Sequence, residues 1–427
     1  MRKFFLCLLL TVFTLVSISS TIGYGAEKIT LKFFHYLRAQ EQQVIISALE
    51  SFMKKYPNIE VKYEFVPESD YITKILTLLA AGEAPDVIGL KDLMIPDFAL
   101  QGVLMDLDQF FKTKKGSIQP MQWISPMRKH LTYRGKIYTV PEQFSPQVLY
   151  GNKKLFKDVG IEPTAKLFED LTWEGLIPLG QKLTRDTNGD GKIDIFAFGG
   201  VGGRYDDRSA IIWNYGGQLM DPNFTKWTLD TPQVAKAYQV LLDMIHKHHI
   251  IPTPEESAGV DLFSIEKMAL VYSNRYNGPY YASFNWANDR MFIARAPKGP
   301  VNDRNRTSCR VMGVVKTTKH PDEAWKLVCY LTNEEGYQLQ AKAGRTLPYR
   351  TDQVNKKFLE GWMMPFEDAD VYLNAISRWH GGVLPPNSDV CRKLTIDAWD
   401  AMVLKKIGVK EGLKKLNDDL NKAIKGW

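Results

Sequence analysis

The length, composition and charge of this chain exclude several classes of protein. It has 427 residues, of which 44% are hydrophobic and 12% aromatic, with 55 Lys and Arg against 48 Asp and Glu. At about 100–200 residues per domain, this length predicts two or three lobes, and the composition excludes disordered, collagen-like and disulfide-dense chains. The net charge of +7 includes no block of Lys and Arg interleaved with aromatics, so we expect no nucleic-acid partner.

The N-terminal segment is typical of a secretory signal peptide. Arg2 and Lys3 precede an apolar run over residues 4–16, and small residues follow up to a cleavage position before Ala26. A transmembrane anchor is the alternative, but the run is shorter than the roughly 20 residues that cross a bilayer. We therefore expect residues 1–25 to be removed and the mature chain to be periplasmic or otherwise extracytoplasmic.

Four cysteines are too few for a disulfide framework. Cys7 lies inside the apolar run and not at its end, where a lipid-acceptor cysteine would sit. Its removal leaves Cys309, Cys329 and Cys391, so at least one thiol cannot pair within the chain. We expect three small buried residues. A bridge between Cys309 and Cys329 stays open, because spacing alone does not decide pairing.

Strands and helices alternate in the first part of the mature chain. A β-rich run over 27–37 predicts a strand, and apolar residues at helical spacing over 41–56 predict an amphipathic helix that stops at Pro57. A strand over 59–66, a helix through Ala81 and a short strand over 87–90 repeat the pattern. Such βαβ units predict a parallel sheet covered on both faces, with ligands beyond the carboxyl ends of the strands.

The middle of the chain predicts a crossing segment followed by a helical lobe. Residues 135–152 read as a strand interrupted by two prolines, which suits a chain passing between lobes, and a short helix follows over 153–159. Helical patterns then run from Thr172 to Ile250. A strand over 310–316, one long amphipathic helix over 320–344 and a mostly helical tail complete the prediction.

Several motifs, in a fixed order from Phe33 to Arg350, resemble one protein family. They are FMKKYPNIEV, AAGEAPDVIGL, GKIYTVPEQFSPQVLYGNKKLF, TWEGLIPLGQKLT, EKMALVYSNRYNGPY and HPDEAWKLVCYLTNEEGYQLQAKAGRTLPYR. Each is weak alone, but the ordered set resembles the carbohydrate-type bacterial extracellular solute-binding proteins, the receptors of ABC importers that include maltose-binding protein. One departure is Tyr150-Gly151-Asn152, where the family usually has an aromatic-Asn pair, so a cleft aromatic is missing or displaced.

The resemblance implies an α/β, two-lobed periplasmic-binding-protein fold, type II-like, whose hinge is made of crossing segments. The N-terminal lobe would comprise 26–143 and 310–347, and the C-terminal lobe 144–309 and 348–427. It also implies a monomer that captures a mono- or oligosaccharide in the inter-lobe cleft and delivers it unchanged to the membrane permease subunits of an ABC transporter. Such a protein is not an enzyme.

A sugar presents apolar faces and a rim of hydroxyls, so its site needs aromatic platforms and planar hydrogen-bonding groups. Most single aromatics are core or surface residues, and Trp325 belongs to the core because it is in step with Val328 and Leu331. The candidates are the polar and aromatic residues on loops where the family lines its cleft: His35, Tyr36, Asp92, Phe144, Trp213, Asn214, Tyr215, Tyr276, Asn277, Tyr280, Arg345, Trp362 and Trp379.

The motif DTNGDGKID reproduces the front of a calcium loop, with oxygen donors at alternate positions and glycine at the sharp turn. The usual glutamate at position 12 is replaced by Ala197, so an acid from elsewhere would have to complete the shell. The alternative is a turn whose side chains cap their own backbone. Either way the loop is structural. The residues of the possible calcium site are Asp186, Asn188, Asp190, Lys192 and Asp194.

No catalytic motif appears in the sequence. The cluster His246, His248 and His249 could suggest a metal, but it more simply complements a helix C-terminus. Two further hypotheses remain open. The same fold could bind an anionic solute, a uronate or sugar phosphate, as suggested by Arg204, Arg208, Arg275 and Arg345, or the chain could be a secreted glycoside-active enzyme.

Overall fold

The structure is a computed structural model that describes residues 28–114, 118–257, 259–379 and 381–426. The predicted signal peptide lies outside the described residues. The strands are β1 (Ile29–His35), β2 (Ile59–Phe65), β3 (Val87–Lys91), β4 (Thr132–Tyr133), β5 (Lys136–Ile137), β6 (Val140–Asn152), β7 (Phe196–Gly199), β8 (Met268–Asn274), β9 (Met291–Ala294) and β10 (Thr307–Val314).

The helices fall into an earlier and a later group. The first ten are α1 (Ala39–Lys55), α2 (Glu68–Ala80), α3 (Ile95–Leu100), α4 (Asp108–Thr113), α5 (Ser125–Leu131), α6 (Lys153–Lys157), α7 (Ala165–Glu169), α8 (Leu176–Leu183), α9 (Ser209–Asn214) and α10 (Pro232–His246). The later ones are α11 (Pro254–Ser257), α12 (Gly278–Ala282), α13 (Ala287–Arg290), α14 (Pro321–Asn333), α15 (Glu335–Lys342), α16 (Lys356–Glu360), α17 (Ala369–Ser377), α18 (Ser388–Val403) and α19 (Val409–Ala423).

The main sheet runs in the order β2-β1-β3-β10-β6-β8-β7, with β9 also paired to β6. The parallel arrangement predicted for the first part of the chain is confirmed for β1 with β2 and β3. Strands β7 and β8 are also parallel, whereas β10 is antiparallel to both β3 and β6. Strand β10 is the return of the chain into the first half, and it runs in the direction opposite to its neighbour β3.

Strand β6 joins the two halves of the molecule. Its first part, through Pro146, pairs with β10, whereas its second part, from Gln147, pairs with β8 and β9. All thirteen residues of β6 are buried. The predicted crossing segment is therefore one continuous strand, and its two prolines stand where the pairing changes or bulges.

Two hydrophobic cores lie on either side of this crossing. The first surrounds β1–β3 and α14, and the second surrounds α8, α10 and β7. The tail divides between them, because Tyr372 and Trp379 pack in the first core and Trp399 packs in the second. The lobe boundaries inferred from the resemblance stay a prediction.

The structure tests three further sequence predictions, which concern the helix over 320–344, Trp325 and the cysteines. The long helix predicted over 320–344 is two helices, α14 and α15, separated at Glu334, whose backbone (φ −107°, ψ −149°) is not helical. Trp325 is in the core, stacked on Phe110 with ring centroids 5.0 Å apart. The cysteines Cys309, Cys329 and Cys391 are buried and free, so the possible bridge is not formed. Within the described ranges, no helix has the length and apolarity to span a membrane.

The unusual Tyr150-Gly151-Asn152 segment has a packing explanation. A Cβ on Gly151 would lie 2.2 Å from the ring of Phe292, so only glycine lets β9 approach β6. Tyr150 is fully buried, and its hydroxyl lies 3.2 Å from that of Tyr372. Asn152 caps α6 by accepting from the backbone N–H of Lys154. The side chains of Tyr150 and Asn152 are both fully buried.

Candidate functional site

A cavity of about 190 Å³ lies between the two halves, next to the crossing strands. Its first-half walls come from the loop after β1, the end of β3 and the strand β10, and its second-half walls come from the loop before α9 and the turn after β8. Its lining is predominantly polar. The lining residues are Tyr36, Leu37, Arg38, Lys91, Asp92, Leu93, Gln143, Arg204, Asp206, Tyr276, Arg306, Ser308 and Arg310.

The sheet explains why residues distant in sequence meet here. Strands β1 and β3 are parallel neighbours, with Phe33 opposite Val87, so the loops that follow them lie side by side at one edge. Strand β10 places Arg310 opposite Lys91 at the end of β3. The site is thus at the carboxyl ends of the parallel strands, as the sequence predicts.

Tyr36 stands at the centre of the first-half wall. The charged end of Lys91 lies 5.8 Å from its ring centroid and that of Arg310 lies 5.3 Å away. Tyr71 packs edge-on against it at 5.4 Å. Only 3% of Tyr36 is exposed. Cations therefore occupy positions around the ring where a sugar would otherwise stack.

A buried network of charges supports this wall from behind. The Nε2 of His35 lies 2.8 Å from Oε2 of Glu142, and Nη2 of Arg345 donates to the other oxygen of Glu142 at 3.2 Å. Arg310 donates to both carboxylate oxygens of Glu41. Burial acts to raise the pKa of Glu142, but His35 and Arg345 outweigh it and lower that pKa to about 2. The pKa of Glu41 is likewise about 2, because Arg310 outweighs burial there.

His35 has a hydrogen-bond partner at each of its two ring nitrogens. Its Nδ1 lies 2.8 Å from the carbonyl oxygen of Tyr36, which can only accept, and its Nε2 faces the ionised carboxylate of Glu142, which also only accepts. Both ring nitrogens therefore face acceptors, and His35 ties the end of β1 to the crossing strand β6. Its side chain is fully buried, so it positions the loop after β1 and does not line the cavity.

The opposite wall carries a second set of ion pairs. Arg306 donates to Asp206, and Arg204 donates to Asp207 from Nη2 at 2.6 Å and from Nε at 3.0 Å. Burial acts to raise the pKa of Asp206, but Arg306 and Arg204 hold it below its usual range. These pairs fix the loop before α9 against the start of β10.

Asp92 is held by a histidine that is itself fully engaged. The Nε2 of His130 donates to Asp92 at 2.8 Å, and Nδ1 accepts from the backbone N–H of Gly382 at 3.0 Å. Asp92, His130 and Cys309 place one potential ligand atom each within 4.8 Å of one another. Both nitrogens of His130 are already hydrogen-bonded, and burial raises the pKa of the Cys309 thiol. The cluster is therefore suited to orienting Asp92 and unsuited to binding a metal.

One contact reaches across the mouth of the cavity. Arg38, after β1, donates to the side-chain oxygen of Asn277 at 3.3 Å, and its guanidinium lies 6.0 Å from the ring centroid of Tyr276. A second cavity of about 350 Å³ shares Arg204 and Tyr276 with the first and continues along β8. A ligand longer than one ring could therefore extend from the first cavity into the second.

The structure brings four of the predicted residues to these two cavities. Tyr36, Asp92 and Tyr276 line the first, and Asn277 lines the second. Trp213 lines a different cavity of about 360 Å³ with Arg304. Contact of these residues with a ligand remains a prediction.

The other predicted residues do not line the two cavities. His35 and Arg345 belong to the buried charge network, and Phe144 packs against Trp379 in the first core, with centroids 5.3 Å apart. Asn214 is fully buried and accepts from Nε1 of Trp173. The remaining three serve elsewhere: Tyr215 is buried in the second core, Tyr280 is 46% exposed and donates to Asp261, and Trp362 packs against Phe358.

The arginines behind the anionic-solute hypothesis are mostly structural. Arg275 is fully buried against Glu367, and Arg208 donates to the carbonyls of Gly202 and Gly203 beneath Trp399. Arg204 alone of the four reaches the cavity. Nine lining residues were not predicted, although alternation along β10 and position after β1 and β3 could have indicated most of them: Leu37, Arg38, Lys91, Leu93, Gln143, Asp206, Arg306, Ser308 and Arg310.

The predicted calcium loop is a tight polar turn on the surface. Asp186 accepts from the backbone N–H groups of Asn188, Gly189 and Gly191, and Asp194 accepts from both the backbone and the hydroxyl of Thr187. Hydrogen bonds to Gly191 and Gly189 lower the pKa of Asp186. The side-chain oxygens thus cap their own backbone. Calcium binding by Asp186, Asn188, Asp190, Lys192 and Asp194 stays a prediction.

The histidines after α10 do not gather around a common point. His249 pairs with Glu256 at 2.7 Å, and α10 ends at His246. Across the residues that the structure describes, the only cluster with metal-ligand spacing is the one at Asp92. The interpretation as a polar helix end fits these positions.

Two α/β halves, a strand shared between them and a polar cavity at the crossing define a two-lobed solute-binding fold. The chain belongs to the bacterial extracellular solute-binding protein family, whose pattern matches residues 37–338. The sequence-based recognition of this family and fold is thus confirmed.

Curated relatives are distant and only partly aligned. A maltotriose-binding protein of Pyrococcus abyssi is 23% identical over 317 residues, which cover 72% of this chain and 63% of the relative. An arabinooligosaccharide-binding protein of Halalkalibacterium halodurans is 24% identical over 238 residues, covering 54% of this chain and 49% of the relative. The chain therefore spans less than two thirds of the length of these relatives.

Solved structures share the whole fold. An ABC substrate-binding protein of Listeria monocytogenes in complex with cycloalternan superposes with a TM-score of 0.80 at 21% identity, covering 93% of this chain and 99% of the other. A maltose/maltodextrin-binding domain from Bdellovibrio bacteriovorus bound to maltotriose gives a TM-score of 0.75 at 19% identity, covering 93% and 100%. At such identities the similarity establishes the fold.

Proposed function

We propose that this chain is the extracytoplasmic substrate-binding component of a carbohydrate ABC importer. It captures a sugar or oligosaccharide between its lobes and delivers it to the permease subunits of the transporter. The observation that carries the proposal is the cavity whose walls come from both halves of the chain, next to the strand that joins them. Membership of the family and relatives named for saccharide binding support it.

The geometry suits capture by closure. Arg38 from the first half contacts Asn277 and Tyr276 from the second, so these contacts form only when the halves approach. A ligand that contacts both walls favours the closed state by its difference in affinity for the two states. The protein works as a monomer outside the cytoplasm, and the ligand leaves chemically unchanged.

Calorimetry and thermal shift of the mature chain, from Ala26 onward, against a saccharide panel test the proposal. A ligand at 100 times its Kd stabilises the folded state by about 2.7 kcal/mol, so the melting temperature should rise by several degrees. Absence of binding across neutral and acidic saccharides of one to several rings would overturn it. Recovered ligand should be intact, and release of new reducing ends would instead indicate a glycoside-active enzyme.

Substitution of two nearby tyrosines, one in the cavities and one outside them, tests where the ligand binds. Tyr276 lines both cavities, whereas Tyr280, four residues later, is 46% exposed and lines neither. Tyr276→Ala should weaken binding of the saccharide found in the panel by tenfold or more, and Tyr280→Ala should leave it unchanged. Equal effects of the two substitutions would place the site elsewhere.

A further inference from the structure

Cationic side chains outnumber carboxylates in the lining of the first cavity. Two carboxylates, Asp92 and Asp206, share its lining with five cationic side chains: Arg38, Lys91, Arg204, Arg306 and Arg310. A cleft lined by one sign of charge between low-dielectric walls concentrates ligands of the opposite sign. This excess of positive over negative side chains therefore influences which saccharides the cavity binds.

Carboxylates behind the lining do not cancel this excess. Glu41 pairs with Arg310 and Asp207 pairs with Arg204, which leaves the cationic groups in the majority. Deeper still, Glu142 is engaged by His35 and by the guanidinium of Arg345, and both of its carboxylate oxygens are used in these contacts. Its negative charge is therefore compensated within the buried network and does not offset the cations of the lining.

Arg38 is the cation best placed to meet a ligand. Its side chain is exposed at the mouth, and the partner that its guanidinium contacts across the cleft is a neutral amide, that of Asn277. Among the ion pairs between described residues, none joins Arg38 to a carboxylate. A guanidinium in this setting can present a pair of N–H donors to an oxyanion.

The aromatic residues of the cavity point to the same chemistry. Tyr36 has Lys91 and Arg310 close to its ring, and Tyr276 has Arg38 close to its own. Among the described residues that line this cavity there is no tryptophan. Stacking of sugar faces is therefore a smaller source of binding energy here than charge-assisted hydrogen bonds.

We propose that the cavity selects acidic saccharides, whose oxyanion binds at the mouth formed by Arg38, Lys91 and Arg204. The inference rests on the proposed function and specifies its substrate class. The sugar rings lie in the first cavity and extend past Tyr276 into the second. A uronate carboxylate and a sugar phosphate share this chemistry, and the experiment separates them.

The test is calorimetry of the mature chain with three sets of ligands matched in ring number: neutral saccharides, uronate-containing saccharides and sugar phosphates. At least one acidic set should bind tenfold or more tightly than the neutral set, since hydrogen bonds to charged groups are the stronger ones. Its affinity should fall as salt rises, because the mouth is exposed to screening. The tighter of the two acidic sets identifies the oxyanion.

Two variants make the test specific. Arg38→Gln should weaken acidic ligands about tenfold and leave any neutral ligand unchanged, whereas Arg128→Gln, on α5 and outside both cavities, should change neither. Neutral saccharides binding as tightly as acidic ones, or a salt-independent affinity, would overturn the inference and leave the proposed function standing. Absence of binding by all three sets would overturn the proposed function itself.

Discussion

The imidazole of His35, at the end of the first strand, donates to the carboxylate of Glu142, 107 residues later on the crossing strand, at 2.8 Å. Neither side chain is accessible to solvent. The pair ties the loop that forms one wall of the cavity to the strand that joins the two halves. The shape of the candidate site therefore depends on a buried ion pair that never contacts the cavity itself.

Removing the charge of Glu142 should destabilise the protein strongly. Glu142→Gln leaves the buried ring of His35 and the buried guanidinium of Arg345 without their shared carboxylate. Breaking a buried pair in this way costs about 3–5 kcal/mol. Urea unfolding measures the loss, with Glu50→Gln, on the exposed side of α1, as a control that should be nearly neutral. A loss below about 1 kcal/mol would mean that the network does not support the fold.

Stability should fall as the solution becomes acidic. The pKa values of Glu41 and Glu142 are lowered from 4.5 to about 2 in the folded state, so the unfolded chain binds protons first as pH falls. Their stabilisation is present above the unfolded pKa and is lost as pH falls from about 5 to 2. Urea midpoints measured across this range should decrease, and Glu142→Gln should show a shallower decrease. Parallel pH profiles would contradict the assignment.

Gly89 should not tolerate a side chain. A Cβ at this position would lie 2.1 Å from Cδ2 of His35, and the ring cannot withdraw without losing Glu142. Gly89→Ala should therefore cost about 1–3 kcal/mol through overpacking. Gly361→Ala is the control, since its Cβ would meet only an ordinary contact of 3.6 Å and its φ is −68°. Similar losses for the two variants, measured by urea unfolding, would argue against this explanation.

The loop around Asp186 should stabilise the folded protein even without any added metal. Asp186→Ala removes the acceptor of three backbone N–H groups, so the melting temperature should fall even in the presence of a chelator. Adding calcium to the unsubstituted protein then tests the metal prediction separately. A rise in melting temperature that Asp186→Ala abolishes would support a calcium site, whereas no response would leave a capping role alone. An Asp186→Ala protein as stable as the parent in chelator would contradict the capping role.

Local sequence patterns predicted most of the secondary structure correctly. Periodicity located α1, α2 and α10, and the alternation after Pro57 located β2, because these elements bury one face and the sequence records which residues lie on it. The same patterns did not predict the break between α14 and α15. The apolar period continues through Glu334, but the backbone of Glu334 is not helical, and Gly336 packs so closely on Tyr330 that a Cβ would lie 2.9 Å away.

The sequence by itself determined the family, the two-lobed α/β class and the edge of the sheet at which the cavity lies, since ordered motifs and strand ends are local properties. It could not decide which polar residues face the cavity. Arg345 and Arg275 are buried in ion pairs while Arg38 and Arg310 reach the lining, and nothing in their local sequence distinguishes them. The partner of each charge is a residue tens to hundreds of positions away, so only the tertiary structure, by bringing those partners together, assigns each arginine to the core or to the cleft.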